Sequence, residues 1–267
     1  MSFRTFRSML AICALTFTAG SGWLLSAAEA NSKNAVINAE GVIPQIATGG
    51  GSFYMDFQFV NSSALSATVT LTFFDSDGVP MAVPYIQDGI QSTATTLVET
   101  VAPGGVEFAK TVVGAPDVQV GYAEVVSSIF HAISVQTTFT QVVPDRPLFQ
   151  AYIPEDTNTN KGRFFLPSIN TGSQTSSLAV VSGVAQSVNY IARNRNGVEL
   201  CNAGRPFLKG EHRAFIIRDM LPCLAGVDGI VEVVGNENER LFGVGITAQD
   251  SGAFVTQPPV APVALLF

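Results

Sequence analysis

The sequence is short of the residues that do chemistry. Two His, three Cys and one Trp stand in 267 residues, and Asp, Glu, Lys and Arg together make up 13%. That leaves few imidazoles and thiols for catalysis or for a metal centre. Cation is scarce as well: 14 Lys and Arg face 21 Asp and Glu, a formal net charge of −7. A nucleic-acid binder carries a basic face, so the balance argues against that class. Long apolar runs are missing after residue 30, and a membrane-spanning helix needs about 20 such residues. The C-terminal Ala264-Leu265-Leu266-Phe267 is too short to serve. The Gly49-Gly50-Gly51 run lacks the Lys and the helix of a phosphate-cradling loop and reads as a turn between strands. With 47% hydrophobic residues, the chain is not disordered.

What is present begins with an address. Residues 1–30 read as a secretory signal peptide: Arg4 and Arg7 lead, Met9 to Phe17 form the apolar stretch, and Ala28-Glu29-Ala30 is a small-x-small cleavage site. Cleavage before Asn31 removes Arg4, Arg7 and Glu29. The 14 basic and 21 acidic residues then fall to 12 and 20, a net −8. Cys13 and Trp23 leave with the same segment, so the mature chain keeps two cysteines and no Trp. Export to an oxidising compartment predicts one disulfide, between Cys201 and Cys223. The expected location is secreted, periplasmic or on the cell surface, with no membrane span after cleavage.

The remainder alternates with a period of two. Phe53, Met55, Phe57 and Phe59 point one way, with Asp56 and Gln58 opposite. Val69, Leu71 and Phe73 alternate with Thr68, Thr70 and Thr72. Ile133, Val135, Thr137 and Phe139 alternate with Ser134, Gln136, Thr138 and Thr140, and Phe242, Val244, Ile246 and Ala248 with Gly243, Gly245 and Thr247. Such strands are expected to bury one face and wet the other. Asp77-Gly78 and Asn196-Gly197 supply the positive φ that tight hairpins need. One short helical turn is expected near Asp219 to Ala225, limited by Pro222. Many short strands with regular turns predict an all-β sandwich.

The chain also repeats. Ile43-Pro44 to Gly49 matches Leu166-Pro167 to Gly172. The strand ending in Asp75-Ser76-Asp77-Gly78 matches the one ending in Asn194-Arg195-Asn196-Gly197. Pro103-Gly104 matches Lys209-Gly210, Val120 to Val125 matches Asp228 to Val233, and Phe139-Thr140-Gln141 matches Thr247-Ala248-Gln249. Landmarks in one order across about 100 residues predict two tandem immunoglobulin-like antiparallel sandwiches. They are expected over 42–154 and 163–259, joined by a solvated linker at 155–162 and followed by a tail at 260–267. The halves are expected to fold independently. This order of motifs resembles the secreted tandem β-sandwich repeat proteins of environmental bacteria, over roughly residues 42–259. The resemblance implies a fold and no activity. Asn-Arg-Asn-Gly in place of Asp-Ser-Asp-Gly, and Lys-Gly-Glu in place of Pro-Gly-Gly, make the second half the more divergent one. No functional residue carries over.

Candidate sites are few. Only His131 and His212 could act as an imidazole base, and neither accompanies a nucleophile elbow, so both read as sheet-edge or loop residues. Asp75 and Asp77 flank a hairpin and read as turn chemistry. Asp156-Thr157-Asn158-Thr159-Asn160 opens like a calcium loop, but Lys161 stands where the glycine belongs and Pro167 where the bidentate Glu belongs. Most Phe fall at inward positions. A carbohydrate platform would favour exposed Trp or Tyr. No catalytic residue, metal or cofactor is therefore predicted. The chain reads as an exported, non-catalytic binding, adhesion or surface-structural protein whose partner is an extracellular protein or glycan. A hydrolase acting on extracellular polysaccharide and a two-domain periplasmic assembly chaperone are the alternatives. The first would need a carboxylate pair facing a cleft, the second a basic cleft between the units.

Overall fold

The structure is a computed structural model that describes residues 39–261, apart from 114–115, 146–147, 158–160, 237–239 and 250–252. The signal peptide read over 1–30 and the end of the tail at 262–267 lie outside the described residues. The chain is all-β and every ladder is antiparallel.

The first unit contains β1 (Gly41–Gly49), β2 (Phe53–Asn61), β3 (Ala67–Asp75), β4 (Val83–Gln87), β5 (Ile90–Ala94), β6 (Thr96–Val101), β7 (Val106–Thr111), β8 (Val118–Ser127), β9 (Ile133–Gln141) and β10 (Phe149–Pro154). One face of its sandwich is the sheet β10-β9-β2-β7-β4-β5 and the other is β1-β8-β3-β6. The Gly49↔Phe53 pair of the β1–β2 hairpin joins them. Between them lie Phe57, Phe59, Phe73, Leu71 and Val135, all essentially inaccessible.

The second unit contains β11 (Arg163–Ser168), β12 (Gln174–Ser182), β13 (Gln186–Asn194), β14 (Glu199–Phe207), β15 (Glu211–Ile216), α1 (Ile217–Met220), a 3-10 turn (Pro222–Leu224), β16 (Gly229–Gly235), β17 (Leu241–Gln249) and β18 (Phe254–Gln257). Its sheets run β11-β16-β13-β14 and β15-β12-β17-β18. These orders copy β1-β8-β3-β6 and, read in reverse, β10-β9-β2-β7. The first unit adds the β4–β5 hairpin. The second adds α1, which starts slightly earlier than the sequence suggested.

The repeat is physical and not merely a pattern. A Cβ on Gly121 would lie 1.9 Å from the carbonyl oxygen of Phe74, and one on Gly229 would lie 2.0 Å from that of Arg193. Glycine is required at both places because the facing strand comes too close for any side chain. Asp75 Oδ1 accepts the N–H groups of Asp77 and Val79, and Asn194 Oδ1 accepts those of Asn196 and Val198. The turn needs an oxygen and no charge, so Asp and Asn serve equally.

Two expectations change. β12 and β17 do not wet one face. Leu178, Val180 and Leu241 enter the second unit's own core, while Ala179, Val181, Phe242 and Val244 pack on the first unit. There they meet Val42, Ile43 and Tyr122 among others. Gly243 and Gly245, expected on a wet face, instead admit Phe164 and Leu166: a Cβ on Gly243 would lie 2.4 Å from the Phe164 ring. The cause is a sheet covered on both sides. The segment 155–162 also differs at its described ends. Asp156 pairs with Val42 in a backbone bridge, and its carboxylate forms a buried ion pair with Lys161. Both residues are buried instead of solvated. Thr157 is exposed.

Cys201 and Cys223 are bonded, with Cα atoms 6.2 Å apart, inside the usual range. The bridge ties the edge strand β14 to the 3-10 turn. Its 22-residue loop implies about 3 kcal/mol from loop closure. Alkylation of the folded, unreduced protein should leave both cysteines unmodified by mass spectrometry, and reduction should lower the urea midpoint; two alkylated cysteines per chain would refute the bridge. The shared core carries a second expectation. Phe242→Ala should cost about 3–5 kcal/mol. Hydrogen exchange should accelerate together in peptides of both units. Acceleration confined to the second unit would mean the halves unfold separately.

Candidate functional site

The structure places the two histidines apart, His212 buried and His131 in an exposed turn. His212 sits on β15, an edge strand as expected, but its imidazole is fully buried between the units. Nε2 lies 3.2 Å from Gln45 Oε1, and Nδ1 lies 3.4 Å from Ser76 Oγ. The His212 N–H donates to the Ser76 carbonyl at 3.0 Å, and the ring stacks on Tyr122 with centroids 6.4 Å apart. Gln45 Nε2 donates to the Ile46 carbonyl, which turns Oε1 toward the imidazole. This network assigns the proton to Nε2 and leaves Nδ1 to accept from the Ser76 hydroxyl. The pair resembles a serine–histidine dyad only in its atoms. Burial, partly opposed by a hydrogen bond to the Pro44 backbone, drops the imidazole pKa to about 4. A general base must become an imidazolium during turnover; among the described residues, the side chains bonded to this ring are Gln45 and Ser76.

His131 occupies the turn before β9 at φ +54°. Its N–H donates to Glu40 Oε2 at 3.0 Å, and its ring lies 3.9 Å from that of Phe130. Glu40 Oε2 also accepts from Ser127 Oγ at 2.7 Å. Glu155 Oε2 accepts the Val135 N–H at 2.9 Å, capping β9 beyond the end of β10. These two carboxylates lie close enough to interact, as a glycosidase pair would have to. Both are committed to polar groups of the surrounding strands and turns. Asp156, the first residue of the calcium-like run, is paired with Lys161, and Asn158 and Asn160 lie outside the described residues. Among the described residues, no group of three or more His, Cys, Asp or Glu stands close enough to hold a metal.

One surface that sequence reasoning did not single out is the outer face of β10-β9-β2-β7-β4, which is open at Tyr152, Gln136, Gln150 and Phe108 and closed at Thr140. Register places its side chains in rows. Tyr152, Thr138, Asp56, Lys110 and Ile86 form one. Gln136, Gln58 and Phe108 form the next, and Gln150, Thr140 and Tyr54 another. Phe108 is 59% exposed and Tyr152 49%, high values for aromatics inside strands. The charges in these rows are Asp56 and Lys110, directly opposite each other. Burial raises the Asp56 pKa and Lys110 opposes that rise. The alternation of Asp56 and Gln58 was legible, but β10 carried no clear signal, so the sequence did not place Tyr152 on this face.

At its β10 edge the face runs into a groove of about 290 Å³. Gln150, Tyr152 and Pro154 form one bank, and Phe254, Thr256 and Pro258 of the second unit form the other. Phe254 anchors the far bank by stacking edge-on against Phe139 and Phe149, at 5.9 and 6.1 Å. Thr256 Oγ1 is buried without a hydrogen-bond partner.

No protein-family model matches the chain, and no curated protein matches it. Among solved structures it is similar to one described as an anti-sigma factor domain-containing protein. That match has 10% identity and a TM-score of 0.14, and covers 75% of this chain and 81% of the other. A likeness at that level carries no argument.

Three titratable groups, His212 buried and Glu124 and Glu155 half-buried, give an opposed pH response. His212 falls from 6.5 to about 4, so the unfolded chain takes up a proton that the folded chain refuses. Its stabilisation is present above pH 6.5 and is lost as pH falls toward 4, by about 3 kcal/mol. Glu124 and Glu155 go the other way. Burial raises Glu124 to about 7 against the opposing charge of Lys209. It raises Glu155 to about 7 against the Val135 hydrogen bond, helped by Glu40 and Asp156. Their contribution is present below pH 4.5 and is lost as pH rises through 7. Two carboxylates outweigh one imidazole, so the urea midpoint should be higher at pH 5.5 than at pH 8. Glu124→Gln should raise the pH 8 midpoint and flatten the profile. A midpoint that climbs from pH 5.5 to 8 in both proteins contradicts this assignment.

Proposed function

We propose that the chain is an exported, non-catalytic binding module of the adhesion or surface-structural kind, and that it works through the outer face of the first unit. The observation that carries this reading is the set of exposed aromatics on that face, Tyr152 and Phe108, beside Gln58, Gln136 and Gln150. Aromatics left in water at the centre of a regular strand are the feature of a recognition surface, because burial is otherwise their favoured state. The strands beneath hold them rigidly, which lowers the ordering cost of binding. Export is supported by the signal-like segment at 1–30 and by the disulfide. The resemblance to secreted tandem sandwich proteins is consistent with it. No helix among the described residues is long and apolar enough to cross a membrane.

The hydrolase alternative finds its carboxylates engaged in capping, and the chaperone alternative finds apolar packing between the units where a basic cleft is needed. The test uses purified 31–267 added back to the producing cells and their extracellular matrix. Saturable retention is expected, weakened several-fold by Phe108→Ala and unaffected by Ser76→Ala with His131→Ala. Release of reducing ends from the matrix, lost on Glu40→Gln or Glu155→Gln, would make the protein an enzyme and end this proposal.

A further inference from the structure

We propose that the groove between β10 and β18 binds a neutral glycan, with one sugar ring stacked on Tyr152 and the chain running over the outer face toward Tyr54. The inference rests on the binding reading above and names its ligand class. Charge makes the first selection. The seven residues that line the groove are all uncharged, the charges in the adjoining rows are the mutually opposed Asp56 and Lys110, and the nearby Glu155 adds a negative one. With 21 acidic against 14 basic residues overall, the chain offers a polyanion no attraction. The polar groups make the second selection. Gln150 donates from Nε2 to Thr140 Oγ1 at 3.3 Å, which leaves Oε1 to accept from a ligand hydroxyl. Gln136 and Gln58 add two further amides on the other side of the Tyr152 row. A lipid chain would strand these groups, whereas a polyol satisfies them.

Shape makes the third. A groove of about 290 Å³ is at the lower end of ligand pockets, which suits a sugar unit rather than a folded partner. The Tyr152 ring offers a flat apolar face to the C–H side of a pyranose, and its phenol is partly desolvated, which with the Glu155 charge raises its pKa. From β10 to β2 is two strand spacings, roughly 10 Å, the reach of two or three linked sugars. Glu155, next along the chain, turns its carboxylate to the Val135 N–H and remains close enough to act on the Tyr152 phenol.

The experiment presents 31–267 to immobilised cellohexaose, laminarihexaose, chitohexaose, heparin, polygalacturonate and a set of extracellular-matrix peptides. Hits are then quantified by titration calorimetry. Binding to at least one neutral hexasaccharide is expected. Tyr152→Ala should weaken it at least ten-fold with an unchanged circular dichroism spectrum and urea midpoint, and Tyr152→Phe should restore most of it. Neutral-glycan binding that Tyr152→Ala leaves intact overturns the location. Binding confined to heparin, polygalacturonate or peptides overturns the ligand class, and failure on every probe overturns the inference. Retention on cells, measured separately, then decides whether the broader binding reading falls with it.

Discussion

Everything else in the molecule is arranged around a strand with no wet side. All nine residues of β1 are buried, although it lies at the end of its sheet. An antiparallel strand at a sheet edge normally gives one face to solvent. Here Ile43 and Ile46 fill the first unit's core, while Val42 meets Val181 and Phe242 of the second. The ladder to β8 slips between Ile43 and Ile46, at Pro44 and Gln45. Proline has no N–H to give to a ladder, so a bulge is where it fits. The bulge also frees Gln45 to reach His212 and lets the Pro44 backbone bond to the same imidazole. A local defect in one strand thereby becomes the polar pin of an otherwise apolar contact.

That covered strand imposes its requirement on its neighbours. The sheet of β15-β12-β17-β18 loses its wet face in turn, so Ala179, Val181, Phe242 and Val244 stand where polar residues would otherwise be. The turns follow. A Cβ on Gly78 would fall 2.7 Å from the Gly210 carbonyl, so the Asp-Gly turn of one unit seats directly on the Lys-Gly turn of the other. Two glycines that read as ordinary hairpin punctuation are also points of contact between the units.

This explains what could and could not be read from the residues. The strands with one polar face were legible because alternation reports burial directly: Phe53 to Phe59, Val69 to Phe73 and Ile133 to Phe139 stand where expected. The repeat was legible because its landmarks are steric, as Gly121 and Gly229 show. The cysteine pair was legible by elimination once Cys13 was read as part of a cleaved segment. The contact between units was not. Phe242, Gly243, Val244 and Gly245 alternate large and small, a pattern that looks like core and solvent but is here core on both sides. Glycine in that row makes room for Phe164 and carries no information about water. His212 was equally opaque, since its partners Gln45 and Ser76 are 167 and 136 residues away in sequence. The face bearing Tyr152 depended on recognising β10, whose Phe149 to Pro154 run contains a proline and no long alternation.

The same covered contact explains why the groove exists and why it is stiff. Two sandwiches joined by a linker alone would present β10 and β18 at variable distances, and any cleft between them would open and close with the linker. Here the units share a core, and β18 is further held by Phe254 against Phe139 and Phe149. Aromatic pairs of this kind contribute about 0.5–1.5 kcal/mol each beyond the area they bury. The banks of the groove are therefore set by the same packing that removes solvent from β1. A ligand entering it does not have to fix the relative position of the two units, which is the ordering term that most reduces affinity at jointed surfaces. It follows that substitutions deep in the unit contact, remote from the groove, should act on binding through geometry. Substitutions on the exposed face should act through contact alone. The distinction separates a surface built on a rigid double unit from one that merely spans two beads.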